Sequence, residues 1–361
     1  MRKAYAQQSI GFWIDAGRIV ADVSTDNGAL YFGGPDKPAY HLRDVLGEWI
    51  DAQPKGGSIH FSLYYFRDPI LAERLIQAHK RGVAVNLVIE ASPRQATAND
   101  VIISYLQAAG LGPHIHLVNS QQKGRLHAKI YAFSHPVPSV MIGSFNPSGN
   151  NTSDDPLISK IGNQDRGHNL LYQTYNQGLV EGLVGCVEKF GLADSSLAEN
   201  VIRSDDASIF IFPRPDKNIG VGEISNASKN AKIIGAISHM KKHPMIKALK
   251  KAARQGADVT LIVHETTRRV PTFVTLELRL AGVNIQRYKH GKTYPMHAKF
   301  LLLEDKGIKT SWLGSYNWNK SSQNKNAEIL LQSQDPTLFN ALSVRFDTIT
   351  SEIDGWAATT T

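Results

Sequence analysis

The segment His297-Ala298-Lys299, followed by Gly314-Ser315-Tyr316-Asn317-Trp318, has a near copy upstream: His127-Ala128-Lys129, followed by Gly143-Ser144-Phe145-Asn146. Other landmarks repeat with it. Gly82 and Gly256 are separated by 174 residues, Gly110 and Gly282 by 172, His127 and His297 by 170, and Gly143 and Gly314 by 171. Separation this constant marks an internal duplication, so the chain is expected to build one site from two similar halves.

Working outward, each copy is preceded by the same order of elements. In the first half an amphipathic helix carries Val45, Leu46, Trp49 and Ile50, and Ser58–Phe66 reads as a strand. Asp68-Pro69 starts a helix, with a capping carboxylate ahead of a proline, and Gly82 stops it. The apolar run from Val83 to Ile89 fits a strand covered on both faces. A helix over Val101–Ala109 and a strand over His114–Val118 lead to His127. In the second half Ala231–Ser238, the helix from His243-Pro244, Val259–Val263 and a helix near Thr275–Leu280 repeat the order up to His297. The expectation is an α/β chain of two packed mixed sheets with helices outside. Its boundaries are a first half over 1–190, a polar linker over 191–224 containing Ser204-Asp205-Asp206, and a second half over 225–361.

Composition sets limits on this. The single cysteine, Cys186, excludes an internal disulfide and a cysteine-built zinc cage. The N-terminal apolar stretch is cut by Asp15 and Arg18, so no signal-peptide core and no bilayer-spanning run is read. A formal charge of +8 favours anionic partners, although 40 basic residues in 361 make no dense tail.

Within each block, histidine and lysine alternate, so on a strand both point to one face. Apolar neighbours surround them: Leu126, Ala128 and Ile130, then Met296, Ala298 and Phe300. Such a pair is costly unless it meets an anion. The following Gly-Ser-x-Asn gives close backbone approach, with Ser144, Asn146, Ser315 and Asn317 as candidate phosphate ligands. Two imidazoles and two ammonium groups around one pocket suit a phosphodiester. Lys129 and Lys299 would stabilise the charge on its oxygens. One imidazole would attack phosphorus while the other protonates the leaving oxygen, and water or an alcohol would reverse the roles. No metal or cofactor is called for. A lone His-x-Lys on a strand is ordinarily a surface feature without chemistry; two, each with its Gly-Ser-x-Asn, are not.

These blocks resemble the His-x-Lys-(four residues)-Asp … Gly-Ser-x-Asn signature of the phospholipase D superfamily in its two-motif, single-chain form, over about residues 56–190 and 225–345. The resemblance implies a pseudo-twofold α/β/α/β/α sandwich and a covalent phosphohistidine. The sequence departs from the pattern in places. Ser134 stands where the first motif has its aspartate, and Glu304, with Asp305 beside it, stands in the second. Asn326-Ala327-Glu328 is similar to the family's Asn-x-Glu element, whose acid orients a catalytic histidine, and Glu328 is expected on His297. Aligning Leu170–Gln173 with Ile329–Gln332 puts Asn169 opposite Glu328, so the first half lacks that carboxylate unless Asp165 substitutes. Family order favours His127 as nucleophile, whereas carboxylate support would favour His297; His127 is the preferred reading.

The remaining histidines lack metal-ligand spacing, and His114-x-His116 reads as ordinary strand. Arg268-Arg269 and Lys241-Lys242 read as solvated faces or, at most, the entrance of an anion site; Tyr316 and Trp318 read as packing residues. The leading substrate is a glycerophospholipid, met by peripheral membrane contact, with hydrolysis or transfer to an alcohol. The alternatives are a metal-independent nuclease, and a non-catalytic protein binding anionic ligands. An apolar rim around the pocket would favour lipid; a continuous basic groove would favour nucleic acid. With both motifs in one chain, a monomer suffices.

Overall fold

A computed structural model describes residues 20–119, 124–149, 163–191, 201–214, 216–291 and 294–359. The first sheet holds β1 (Val23–Thr25), β2 (Gly28–Gly33), β3 (Ser58–Leu63), β4 (Ala84–Glu90), β5 (Ile115–Val118), β6 (Ile130–Phe133), β7 (Ser139–Gly143) and β8 (Asn169–Thr174). Their order is β1-β2-β8-β7-β6-β3-β4-β5. The later strands are β9 (Val201–Arg203), β10 (Ala207–Phe212), β11 (Lys232–Ile237), β12 (Met240–Lys241), β13 (Asp258–His264), β14 (Asn284–Tyr288), β15 (Lys299–Asp305), β16 (Ile308–Gly314), β17 (Trp318–Asn319) and β18 (Glu328–Ser333). Their sheet runs β14-β13-β11-β15-β16-β18-β10-β9, with β12 and β17 paired apart from it. Read from the other edge, this is the first sheet again, strand for strand.

The duplication therefore extends further than the sequence reading placed it. β9 and β10 lie inside the expected 191–224 linker, yet they pair with β18 as β1 and β2 pair with β8. The polar Ser204-Asp205-Asp206 read as a join is the turn between β9 and β10, and Ser204 N–H donates to the Ala207 carbonyl there.

Helices α1 (His41–Asp51), α2 (Pro69–Lys80) and α3 (Asp100–Leu106) cover one face of the first sheet. Helix α4 (Gln177–Phe190) follows β8, and α5 (Val221–Ser225), α6 (Pro244–Arg254), α7 (Thr272–Leu280), α8 (Lys320–Asn324) and α9 (Pro336–Thr359) belong to the second half. Local chemistry accounts for the helix starts. The Asp68 carboxylate accepts from the Ile70 and Leu71 amides ahead of Pro69, and His243 Nδ1 accepts from Met245 N–H ahead of Pro244.

The core shows why both blocks are apolar on either side of the lysine. In β6, Ile130 and Ala132 face the core between the sheets, while Tyr131 and Phe133 face the outer helices. In β15, Phe300 and Leu302 face inward, while Leu301 and Leu303 face α6 and α7. Each strand is thus buried on both faces, with side chains alternating. The central cluster also takes in α4 and α9, giving helix, sheet, helix, sheet and helix layers. Among the described residues no helix is long and apolar enough to cross a membrane.

Candidate active site

Two short parallel bridges join the halves: Leu126 with Ala327, and His168 with Met296. His127 N–H donates to the Ala327 carbonyl at 2.8 Å, and His297 N–H donates to the His168 carbonyl at 3.0 Å. Each histidine of a motif therefore lies beside the first residue of the other half's β18 or β8. Strand structure begins only after His127, at Ile130, and at Lys299 in the second copy.

This arrangement corrects the expected pairing. The Glu328 carboxylate is 2.7 Å from His127 Nδ1, not on His297. The Asn169 amide oxygen is 2.9 Å from His297 Nδ1. The halves have exchanged supporting residues, because the bridges place residues 328 and 169 against the opposite histidine. Asp165 does not substitute; it is buried near Asp68, and burial and that neighbouring charge push its carboxyl up to about 7.

The Gly-Ser-x-Asn serines are also not where a phosphate ligand would stand. Ser144 Oγ donates to Asn169 Oδ1 at 3.0 Å and accepts from Leu170 N–H. Ser315 Oγ donates to Glu328 Oε2 at 2.7 Å and accepts from Ile329 N–H. Both hydroxyls hold the residue that orients a histidine. The preceding glycines make this contact sterically feasible: a Cβ on Gly143 would lie 2.1 Å from the Leu170 carbonyl oxygen, and one on Gly314 would lie 2.3 Å from that of Ile329. Asn317 lines the cavity, and its buried Oδ1 has no partner among the described residues. Asn146 donates to Gln164 Oε1 at 2.7 Å, and Gln164 is the neighbour that reaches the cavity wall.

Glu328 is fully buried and accepts further hydrogen bonds from Ser322 Oγ and Asn326 Nδ2. Burial alone would raise its carboxyl; the His127 imidazole, Lys129 and Ser322 outweigh that and hold it at about 2. An ionised Glu328 accepts a hydrogen bond from His127 Nδ1–H, which leaves the Nε2 lone pair for the cavity. Burial lowers His127 to about 4 against the pull of Glu328. Asn169 gives its amide hydrogen to the Gln164 carbonyl at 2.7 Å, so its oxygen is the atom facing His297, whose Nδ1 donates.

Each lysine Nζ donates to its own histidine's carbonyl at 2.6 Å, and Lys299 Nζ also lies 3.4 Å from His297 Nε2. Burial brings Lys129 down to about 7; burial and the Lys129 charge bring Lys299 well below the usual range for an amine. His297 is also held well below its usual value, by burial and by Lys299.

A cavity of about 370 Å³ opens over both histidines. Arg94, Arg125, Lys241, Arg268 and Arg269 line it with Tyr64 and Tyr65, and among the described residues no carboxylate or aliphatic side chain does. The Tyr64 ring packs 4.8 Å from that of His127, with Lys129 Nζ 5.1 Å from its centre. Sequence reasoning passed over Tyr64, Tyr65 and Arg125 and gave His239 no role, whereas Lys241 and Arg268-Arg269, read as solvated faces or at most the entrance of an anion site, do line the cavity. The signal for them was their place at strand ends: Tyr64-Tyr65 follow β3 as Ser238-His239 follow its counterpart β11.

Other candidates lie elsewhere. Ser134 Oγ accepts from Ser58 N–H at 2.7 Å, at the far end of β6. Glu304 lies opposite Lys232 and Lys309 in the strand register at the far end of β15, and Asp305 accepts from Ser228. At ~3.3 Å per strand residue, the motif-aspartate positions sit roughly 16 Å from the lysines and fasten the sheet edge. Tyr316 and Trp318 are packing residues, with Tyr316 Oη 2.9 Å from His243 Nε2. Among the described residues, Asp36, His168 and Glu352 form one group close enough to hold a metal ion. The Arg345 guanidinium already takes the cation's place there, donating to Asp36 at 2.6 and 2.9 Å and to His168 Nδ1 at 2.7 Å.

A family model described as cardiolipin synthase, phospholipase D-like domain, matches residues 52–156 and 221–350. The chain belongs to that phospholipase D-like family, whose superfamily members are phosphoryl-transfer enzymes. No curated protein matches it. Among solved structures, it resembles phosphatidylserine synthase of Haemophilus influenzae Rd KW20, with 12% identity and a TM-score of 0.63 over 89% of this chain and 86% of that one. It also resembles polyphosphate kinase from Porphyromonas gingivalis, with 15% identity and a TM-score of 0.61 over 90% of this chain. It spans about half the length of that kinase, 50%.

Proposed function

We propose that the protein is a phosphodiesterase working through a covalent phosphohistidine, with His127 as nucleophile and a polynucleotide as substrate. The observation that carries the chemistry is the 2.7 Å contact between buried Glu328 and His127 Nδ1. It makes His127 the imidazole whose positive charge, once Nε2 has bonded to phosphorus, has a carboxylate to face. In the first step the P–O bond to the leaving alcohol breaks as the N–P bond forms, and the leaving oxygen takes a proton from His297. That proton is held between His297 Nε2 and Lys299 Nζ, 3.4 Å apart. In the second step His297 accepts a proton from water as the water oxygen attacks phosphorus and the N–P bond breaks. Lys129 balances the charge on the phosphoryl oxygens in both steps, and Lys299 joins it whenever the shared proton is on its Nζ.

The cavity lining supports the choice of substrate and reverses the order expected from sequence. Among the described residues, five cationic side chains and two tyrosines, with no aliphatic wall, suit a backbone carrying several phosphates and bases that stack. A glycerophospholipid is the second reading. In its favour, Phe273, Leu276 and Leu280 are exposed on α7, directly after the Arg268-Arg269 loop.

The test is incubation with single- and double-stranded DNA, RNA, and phosphatidylcholine plus a primary alcohol, all in EDTA. Cleavage of an oligonucleotide, falling steeply with added salt, is expected. Formation of phosphatidyl-alcohol with every nucleic acid left intact would overturn the substrate class. Turnover without a trappable phosphohistidine on His127 would overturn the mechanism.

A further inference from the structure

A third imidazole reaches the cavity. His239 lines it together with His127 and His297, and the steps above give it no task. Its position is fixed on three sides. Ser238 N–H donates to the Ala298 carbonyl at 3.1 Å, tying the end of β11 to the residue after His297. Trp318 N–H donates to the His239 carbonyl at 3.1 Å, setting it against the second Gly-Ser-x-Asn segment. Ser238 Oγ lies 3.0 Å from His239 Nδ1.

The hydrogen bonds around Ser238 accommodate a ring with its proton on Nε2. Arg269 Nη1 lies 3.4 Å from Ser238 Oγ, and a guanidinium can only donate. With the serine hydroxyl accepting there, its own hydrogen is available to His239 Nδ1, 3.0 Å away. Nδ1 is then an acceptor, so the ring proton is on Nε2, the nitrogen left for the cavity. Burial and the charges of Arg269 and Lys299 keep the ring neutral. The first half has nothing like it, since Tyr65 stands at the matching strand end.

We infer that His239 contacts the substrate directly, donating its Nε2–H to a non-bridging oxygen of the reacting phosphoryl group. It moves no proton. It adds a neutral, fixed donor where negative charge builds in the transition state, beside two lysines whose own charge is weakened by burial. This rests on the phosphohistidine reading above.

The experiment measures steady-state kinetics of the full chain on two phosphodiesters, one with a p-nitrophenolate leaving group and one an oligonucleotide. The variants are His239→Ala, His239→Gln, which keeps an N–H at similar reach, and His239→Phe, which keeps a ring and removes the donor. His239→Ala and His239→Phe are expected to lose about 100-fold in kcat on both substrates with KM little changed, and His239→Gln to recover most of it. Loss on the oligonucleotide alone would make His239 a leaving-group acid and overturn the inference. So would a glutamine variant no better than phenylalanine, or an alanine variant as active as the parent. If alanine does not fold, the comparison of Gln with Phe decides alone. A parent protein that turns over neither substrate is a different outcome: it removes the phosphodiesterase reading itself.

Discussion

The two halves share a strand order and differ where they meet the cavity. The first half brings Tyr64 and Tyr65 from the end of β3 to the cavity wall and, behind it, the buried Glu90 from the end of β4, whose carboxylate accepts from Ser92 and Leu126 N–H. The second brings His239 from the end of β11 to the wall and, behind it, Ser238 and the buried His264 from the end of β13, whose Nδ1 accepts from Thr266 N–H. His127 receives Glu328, an anion; His297 receives Asn169, a neutral amide. A duplicated fold keeps the scaffold because both halves need the same core. It lets the cavity residues diverge because the two imidazoles have different tasks. On the proposed mechanism one carries positive charge while bonded to phosphorus, and among the described residues it alone of the two has a carboxylate on Nδ1.

The sharpest way to break this comparison is to remove each histidine. His127→Ala should lose at least ~10⁴-fold in turnover and form no phosphoenzyme. His297→Ala should still be phosphorylated by a substrate whose leaving group needs no proton, and the intermediate should accumulate. Acid-quench labelling and mass mapping read both. A phosphorylated His297 in the His127→Ala protein would exchange the two roles.

Next comes the supporting pair. Glu328→Gln makes the nucleophile's support as neutral as Asn169, and leaves a buried amide where a carboxylate accepted four side chains. A loss of about 10³-fold in kcat is expected, against about 10-fold for Asn169→Ala, with kinetics on one oligonucleotide as the measure. Equal losses would mean that the carboxylate positions rather than stabilises.

Beneath that exchange lies a backbone feature common to both halves. Gly143→Ala and Gly314→Ala each drive a methyl into a neighbouring strand's carbonyl, and Gly314 also has φ +150°. Each should cost about 2–4 kcal/mol in chemical denaturation. Because the opposing strands carry Asn169 and Glu328, activity should fall further for Gly314→Ala than for Gly143→Ala. The reverse order would put the more demanding support on His297.

Much of this was legible in the chain. The repeat separations, the helix starts at Asp68-Pro69 and His243-Pro244, and the four His and Lys residues needed only spacing and local chemistry. What could not be read was which half serves which histidine. Glu328 follows the His297 block by some thirty residues and is remote in sequence from His127, yet the Leu126–Ala327 bridge sets it on His127. Contact between halves depends on how two sheets face each other, and no periodicity encodes that. The Gly-Ser-x-Asn serines were misjudged for a related reason. A hydroxyl beside a cavity suggests a ligand contact, but Ser144 and Ser315 are consumed by Asn169 and Glu328. The basic cavity wall was only partly legible because Arg94, Arg125, Lys241 and Arg268 come from four separate stretches of the chain.

The smallest expected effect is the most informative about charge. His127 attacks only when neutral, so kcat/KM should fall as pH drops through about 4, where its proton returns. Lys129 assists only when charged, so kcat/KM should fall as pH rises through about 7. The profile is then a bell with limbs near those values, both well below the ordinary imidazole and amine positions, because burial disfavours the charged form of each. Asn169→Asp adds a negative charge beside His297, favours the protonated form of the nearby imidazole and amines, and should carry the alkaline limb upward with only a few-fold change in the maximum. An unmoved limb would mean that residue 169 is not electrically coupled to His297 and the lysines. The neutrality of Asn169 would then have nothing to do with the division of labour between the histidines.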